Sequence, residues 1–131
     1  MSFVYLDTSA ALAHLLAEDR CPSEKLWGEA LVSSRLLEYE IWNRLHARRL
    51  AGSHGEAARD LIGRVALVEL VSPILDRARE PFKSPVRTLD ALHLSSLLFL
   101  VEHGQTVVLA SYDTKMTQSA HSLGIPIYKD L

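Results

Sequence analysis

The sequence predicts an α/β fold, a three-layer α/β/α sandwich around a central parallel sheet of about five short strands. Three observations carry that reading. Short apolar runs alternate with helical patterns along the chain, strands separated by helices pair in parallel with helices on both faces, and no period of about 20 to 50 residues marks a repeat architecture. With 131 residues, 48% of them apolar and 23% charged, one domain over residues 1–131 is expected. That length buries roughly two-thirds of the unfolded surface without disulfide or zinc staples.

Phe3-Val4-Tyr5-Leu6 reads as a buried strand, and Asp7-Thr8-Ser9 supplies capping oxygens ahead of a helix from Ala10 to Ala17. Past Cys21-Pro22-Ser23 a short helix runs through Leu26, Trp27 and Leu31. Val32-Ser33-Ser34 is a brief strand, followed by a long helix from about Arg35 to Leu50 that stops at Gly52. A further helix spans about Gly55 to Val65, and Val68-Glu69-Leu70-Val71 is the next strand, ended by Ser72-Pro73. Ile74 to Arg79 is a short helix, Pro81 to Pro85 a loop, and Thr88 to His103 a helix that Gly104 closes as a C′ glycine. Thr106-Val107-Val108-Leu109-Ala110 is a strand, Asp113 to Leu123 a helix closed by Gly124, and Ile125-Pro126-Ile127-Tyr128 a final edge strand. Trp27, Trp42, Leu15 and Leu16 read as core, their surplus being available to a partner.

Composition excludes several classes. Cys21 stands alone, so neither an internal disulfide nor a cysteine-based metal site forms. The N-terminus has no basic n-region. The longest apolar run, Leu97 to Val101, falls far short of the roughly 18 residues a membrane span needs. A reducing, cytoplasmic location without membrane contact is the expectation. Fourteen basic against sixteen acidic residues give a formal charge of −2, which lacks the basic excess of many nucleic-acid binders.

Ligands in such sheets bind outside the carboxyl ends of the strands, where strand order reverses. Asp7 directly follows the first strand, and Asp113 follows the Thr106 to Ala110 strand after Ser111 and Tyr112. Asp90 sits two residues into an otherwise apolar helix, and Glu40 lies at the edge of the Leu36, Leu37, Ile41, Leu45 stripe. Each acid has a plain structural reading as well. Asp7 and Asp113 suit helix N-caps, Glu40 could pair with Arg44 at i+4, and Asp90 suits a first helical turn. Glu38 flanks the same stripe from the other side, so helical geometry does not choose between it and Glu40. Taken together, four converging carboxylates repel one another and raise their own pKa values, which a divalent cation resolves. Oxygen-only ligands favour Mg²⁺, with Mn²⁺ as a substitute, over zinc. His93, three residues after Asp90, reads as a ligand or as a packing or supporting residue.

The runs Val4-Tyr5-Leu6-Asp7-Thr8-Ser9-Ala10-Ala11-Leu12, Ser34-Arg35-Leu36-Leu37-Glu38-Tyr39-Glu40, Thr88-Leu89-Asp90-Ala91-Leu92-His93-Leu94 and Ala110-Ser111-Tyr112-Asp113 closely resemble, in order, the motifs of PIN-domain ribonucleases. Within them the chain looks most like the VapC-type toxins of toxin/antitoxin pairs. The resemblance implies that Asp7, Glu40, Asp90 and Asp113 are the catalytic, metal-binding acids. Glu40 is preferred to Glu38 because the family's glutamate falls about six residues after the serine matched by Ser34. Ser9 and Thr88 match positions that hydrogen-bond or orient the acids. Thr114-Lys115-Met116-Thr117 lacks the further acid some members carry, which leaves occupancy of a second metal site open.

What the resemblance implies is Mg²⁺-dependent hydrolysis of RNA phosphodiesters by metal-activated water, an antitoxin partner and a homodimer. Arg44, Arg48 and Arg49 stand in an arginine-rich stretch between positions 35 and 64 and are candidate RNA contacts, against the plain reading of a solvated helix face. Rival classes fare less well. Neither Gly-x-x-x-x-Gly-Lys nor Gly-x-Gly-x-x-Gly occurs, and Asp7-Thr8-Ser9 lacks the second acid of aspartyl-phosphate phosphatases. The alternative that survives is a non-catalytic PIN-like adaptor binding RNA or protein.

Overall fold

The computed structural model describes residues 2–131. In chain order they form β1 (Ser2–Leu6), α1 (Thr8–Leu15), a 3₁₀ turn (Glu24–Gly28), β2 (Leu31–Ser34), α2 (Leu36–Ala47) and α3 (Ala51–Gly63). There follow β3 (Val65–Val68), α4 (Ser72–Ala78), α5 (Thr88–Glu102), β4 (Thr106–Ala110) and α6 (Thr114–Ser122). The strands make one parallel sheet in the order β3-β2-β1-β4, with Val4 opposite both Leu31 and Val108.

Side chains alternate across a sheet, and the two faces bury different helices. Val4, Leu6 and Leu31 join α1, α2 and α3 through Leu12, Leu37, Ile41, Leu45 and Leu61. Tyr5, Val32, Val107 and Leu109 meet Leu94 and Leu97 of α5 and Met116 and Ala120 of α6. The result is a three-layer α/β/α sandwich. Leu15 is buried, while Leu16, Trp27 and Trp42 are half-buried against the first core. Helix α5 is apolar on every side because it is buried on most of them, from Ala91 through His93 and Leu94 to Leu97.

The sheet has four strands where five were expected, and the fifth is a single bridge between Leu109 and Ile127. Leu109 N–H donates to the Pro126 carbonyl and Tyr128 N–H to the Leu109 carbonyl. The next rung toward the start of that segment needs an N–H at position 126, and proline has none.

Other boundaries shift for local reasons. The long helix ends at Ala47 with Arg49 in the left-handed region (φ +57°), and Gly52 lies inside α3. The segment after Pro22 makes a 3₁₀ turn, so β2 starts at Leu31. Gly63 and Arg64 close α3, which brings β3 forward to Val65–Val68. Pro73 occupies the first turn of α4, where its missing N–H costs nothing, so Ser72-Pro73 begins a helix and does not end the strand, which has already stopped at Val68.

Strand order places β2 and β3 on one side of β1 and β4 on the other. The carboxyl ends of β1 and β4 are therefore the switch point at which a doubly wound sheet opens a crevice.

Candidate active site

At that switch point a cleft of about 710 Å³ is lined by Asp7, Glu40, Asp90 and Asp113, together with Ser9, Arg44 and Arg87. Four elements supply the acids. Asp7 stands between β1 and α1, Glu40 on α2, Asp90 in the first turn of α5, and Asp113 between β4 and α6. Glu38 is absent from this lining, and its carboxylate accepts a hydrogen bond from Arg35 Nη1 at 3.1 Å.

Asp7 is 6% exposed and stands at the N-cap position of α1 without capping it. Its Oδ2 instead accepts hydrogen bonds from Ser9 Oγ and Ser111 Oγ, both at 2.7 Å. Ser9 and Ser111 are tied in turn by the backbone N–H groups of Tyr112 and Asp113, which donate to them at 3.0 Å. Glu40 Oε1 accepts from Thr8 Oγ1 at 3.0 Å and from His93 Nε2 at 2.6 Å. Asp113 caps α6, its Oδ1 accepting from the Lys115 and Met116 backbone N–H groups. Thus three acids each use one oxygen to anchor themselves. Among the described residues Asp7 Oδ1 and Glu40 Oε2 have no hydrogen-bond partner, while Asp113 Oδ2 faces only Arg87 Nη2 at 3.6 Å. The same guanidinium reaches Asp90 Oδ2 through Nε at 3.4 Å.

Behind Glu40 lies a buried relay. Tyr5 Oη meets His93 Nδ1 at 2.7 Å, with both side chains at the sheet–α5 interface. Burial above all, with the charge of Asp7, pushes the Tyr5 hydroxyl above its ordinary range, so it remains a donor. Its donation to Nδ1 leaves Nε2 to donate to Glu40. Burial pulls the His93 pKa down, but the hydrogen bond to Glu40 and the charges of Asp7, Glu40 and Asp90 outweigh it and raise the pKa. The Asp90 carboxyl is also pushed up, by burial first and then by Asp113 and Asp7, with Arg87 opposing.

These residues fit a divalent cation in donor chemistry. All four donors are carboxylates, three of them (Asp7, Glu40 and Asp90) keep an oxygen unpartnered among the described residues, and the charges of Asp113 and Asp7 are felt at Asp90 as repulsion. They do not form a closed cage: among the described residues no three acids, histidines or cysteines stand close enough to hold a metal ion as they are.

The structure thus brings Asp7, Glu40, Asp90 and Asp113 to one cleft, with Ser9 beside Asp7 and Arg44 on the wall. Thr88 is exposed at the start of α5 and lines a separate groove with Leu75 and Phe82. Arg48 and Arg49 lie past the end of α2, exposed and outside the cleft lining. Sequence reasoning missed Thr8, Ser111 and Arg87. Thr8 directly follows Asp7 and Ser111 stands two residues before Asp113, each placing a hydroxyl just past a strand, which is the available signal. Arg87 precedes an acidic first helical turn by three residues, a spacing that pairs charges.

Residues 4–121 match the PIN domain family, a stretch that includes every acid of the cleft. Ribonuclease VapC47 of Mycobacterium tuberculosis (strain CDC 1551 / Oshkosh) is 25% identical over 128 residues, 92% of each chain. The crystal structure of Mycobacterium tuberculosis VapC20, a sarcin-ricin loop cleaving toxin, shares the fold at a TM-score of 0.63 and 20% identity, over 88% of this chain and 93% of that one. The family match spans β1 to α6 and the whole acidic crevice, and on that basis the chain belongs to the PIN domain family.

Proposed function

We propose that this protein is a VapC-type endoribonuclease, the toxin of a toxin/antitoxin pair, which hydrolyses RNA phosphodiesters with Mg²⁺ or Mn²⁺ held by Asp7, Glu40, Asp90 and Asp113. The observation that carries it is the convergence of four carboxylates from four elements on the switch-point cleft, with single-oxygen anchoring of Asp7, Glu40 and Asp113. A divalent cation bound there supplies Lewis-acid activation of water and neutralises charge at the phosphate. The chain's own residues do the rest. Ser9 and Ser111 hold Asp7, Thr8 and His93 hold Glu40, and the α6 backbone holds Asp113. Arg87 and Arg44 bring positive charge to the rim where a phosphate arrives.

The same reading carries a cytoplasmic location and an antitoxin partner, which the VapC-type resemblance of the motifs implies. Exposed Leu75 on α4 and Leu89 on α5 leave apolar surface for a homodimer. No helix of the described residues is long and apolar enough to cross a membrane.

The test is substitution of single acids. Asp7→Asn and Asp90→Asn keep the wild-type circular dichroism spectrum and lose Mg²⁺-dependent RNA cleavage; full cleavage by either variant sinks the mechanism. That no ready three-ligand cluster stands among the described residues favours one other reading, a PIN-like adaptor that binds RNA or protein without metal. Calorimetric titration separates the two, because an adaptor takes up no Mn²⁺ at millimolar concentration.

A further inference from the structure

A second cavity, of about 490 Å³, opens beside the acidic cleft, and Arg87 and Asp90 line both. The two thus adjoin at the start of α5, with Arg87 and Asp90 on their common wall. Their charges differ in sign. The acidic cleft has six carboxylate residues against Arg20, Arg44 and Arg87, whereas the second cavity sets Lys83, Arg87 and Lys115 against Asp90 alone. Neither Lys83 nor Lys115 has an ion-pair partner among the described residues. Phe82, Val86, Leu94 and Met116 give the cavity apolar wall. Lys115, Gln118, Ser119 and Ser122 follow one another at i, i+3, i+4 and i+7 on α6, so one helical face presents a cation, an amide and two hydroxyls to the same space.

We propose that this cavity seats a nucleobase of single-stranded RNA, adjacent along the strand to the phosphate at the acids, with Lys83 and Lys115 on the flanking phosphates. The assignment rests on the ribonuclease reading and deepens it. Single-stranded RNA is recognised by apolar and aromatic surface for the base, hydrogen-bonding groups for its edges and cations for its backbone. The cavity offers all three, and its volume lies within the roughly 300 to 1,000 Å³ of small-molecule sites. A protein segment is the other class of occupant, and unpaired cations beside a nuclease cleft argue for phosphate instead.

The probe is a fluorescein-labelled single-stranded RNA of mixed sequence, bound to Asp7→Asn protein across a salt series, with wild-type cleavage of the same RNA in parallel. Adding Lys83→Gln/Lys115→Gln is expected to lower the logarithmic salt slope by about 1.4, two phosphate contacts at about 0.7 each. Affinity at about 0.1 M salt should fall on the order of tenfold. Ser119→Trp, which fills the cavity without touching a charge, is expected to weaken binding at least about fivefold with the slope unchanged. If the wild type cleaves RNA while the lysine variant keeps slope and affinity, the assignment is overturned and the cavity passes to a protein occupant. Unchanged affinity in Ser119→Trp overturns the base seat. Wild-type protein that neither binds nor cleaves RNA overturns the ribonuclease reading and this one with it.

Discussion

A buried carboxylate is costly unless something holds it, and the holding groups here differ from acid to acid. Asp7 takes two serine hydroxyls, Asp113 two backbone N–H groups, and Glu40 a threonine hydroxyl and an imidazole. Only the last depends on a second buried residue, since the imidazole presents a donor to Glu40 when Nδ1 is occupied by the Tyr5 hydroxyl. Tyr5→Phe removes that hydroxyl and leaves a buried ring nitrogen without its partner. The expected cost is about 1 to 3 kcal/mol, read as a lower urea midpoint with unchanged m-value. A midpoint equal to wild type would show that the relay contributes nothing to the fold.

At the scale of elements, four helices end in the same way. In α1, α2, α5 and α6 the C′ residue is left-handed and the C″ N–H reaches back five residues, as Leu50 does to Leu45 and Gln105 to Leu100. Two of the C′ residues are Gly104 and Gly124, and two are Ala17 and Arg49. A left-handed L-residue costs roughly 1 to 2 kcal/mol, partly offset by glycine's greater freedom when unfolded. Arg49→Gly should therefore stabilise the protein by roughly 0.5 to 1 kcal/mol. Gly104→Ala should destabilise it by about 1 kcal/mol, since an added Cβ meets nothing within 4 Å and only the backbone angle resists. Thermal unfolding that moved both variants in one direction would contradict this account. The same ends show what was legible in the sequence. Glycine marks the ends of α5 and α6 in the sequence to within about a residue, whereas the pattern through Leu50 runs three residues past the true end of α2, because arginine carries no signal for a left-handed turn. The four acids were legible because each follows a strand or interrupts an apolar helix face. Ser111, Thr8 and Arg87 left only a local signal, a hydroxyl or an i,i+3 spacing, because their contacts to Asp7, Glu40 and Asp113 form once β1, β4, α2 and α5 meet. Pro126 was legible as an edge residue, but its removal of a ladder rung depends on the register with Val107.

For the molecule as a whole, the formal charge of −2 conceals a division of labour. Setting aside Asp7, Glu40, Asp90 and Asp113, the chain carries fourteen basic residues against twelve acidic ones, so its deficit of positive charge sits in the crevice. There the Asp90 carboxylate works against the fold: burial and the charges of Asp113 and Asp7 disfavour its ionised form and raise its pKa, with Arg87 opposing. Asp7→Asn removes one of those charges while its amide oxygen still accepts from Ser9 and Ser111. In chelator-treated protein the variant should thus be at least as stable as wild type. Metal reverses the order. A cation that binds the folded cleft alone stabilises by about 2.7 kcal/mol at one hundred times its dissociation constant, a rise in melting temperature on the order of 10 °C for a chain this size. Wild type should gain that increment from Mn²⁺ and return to its starting temperature with excess EDTA, while Asp7→Asn gains little of it. Two parallel melting series, with and without Mn²⁺, decide the matter. If their order does not cross, the acids are not held in opposition for a cation to relieve, and the adaptor reading gains.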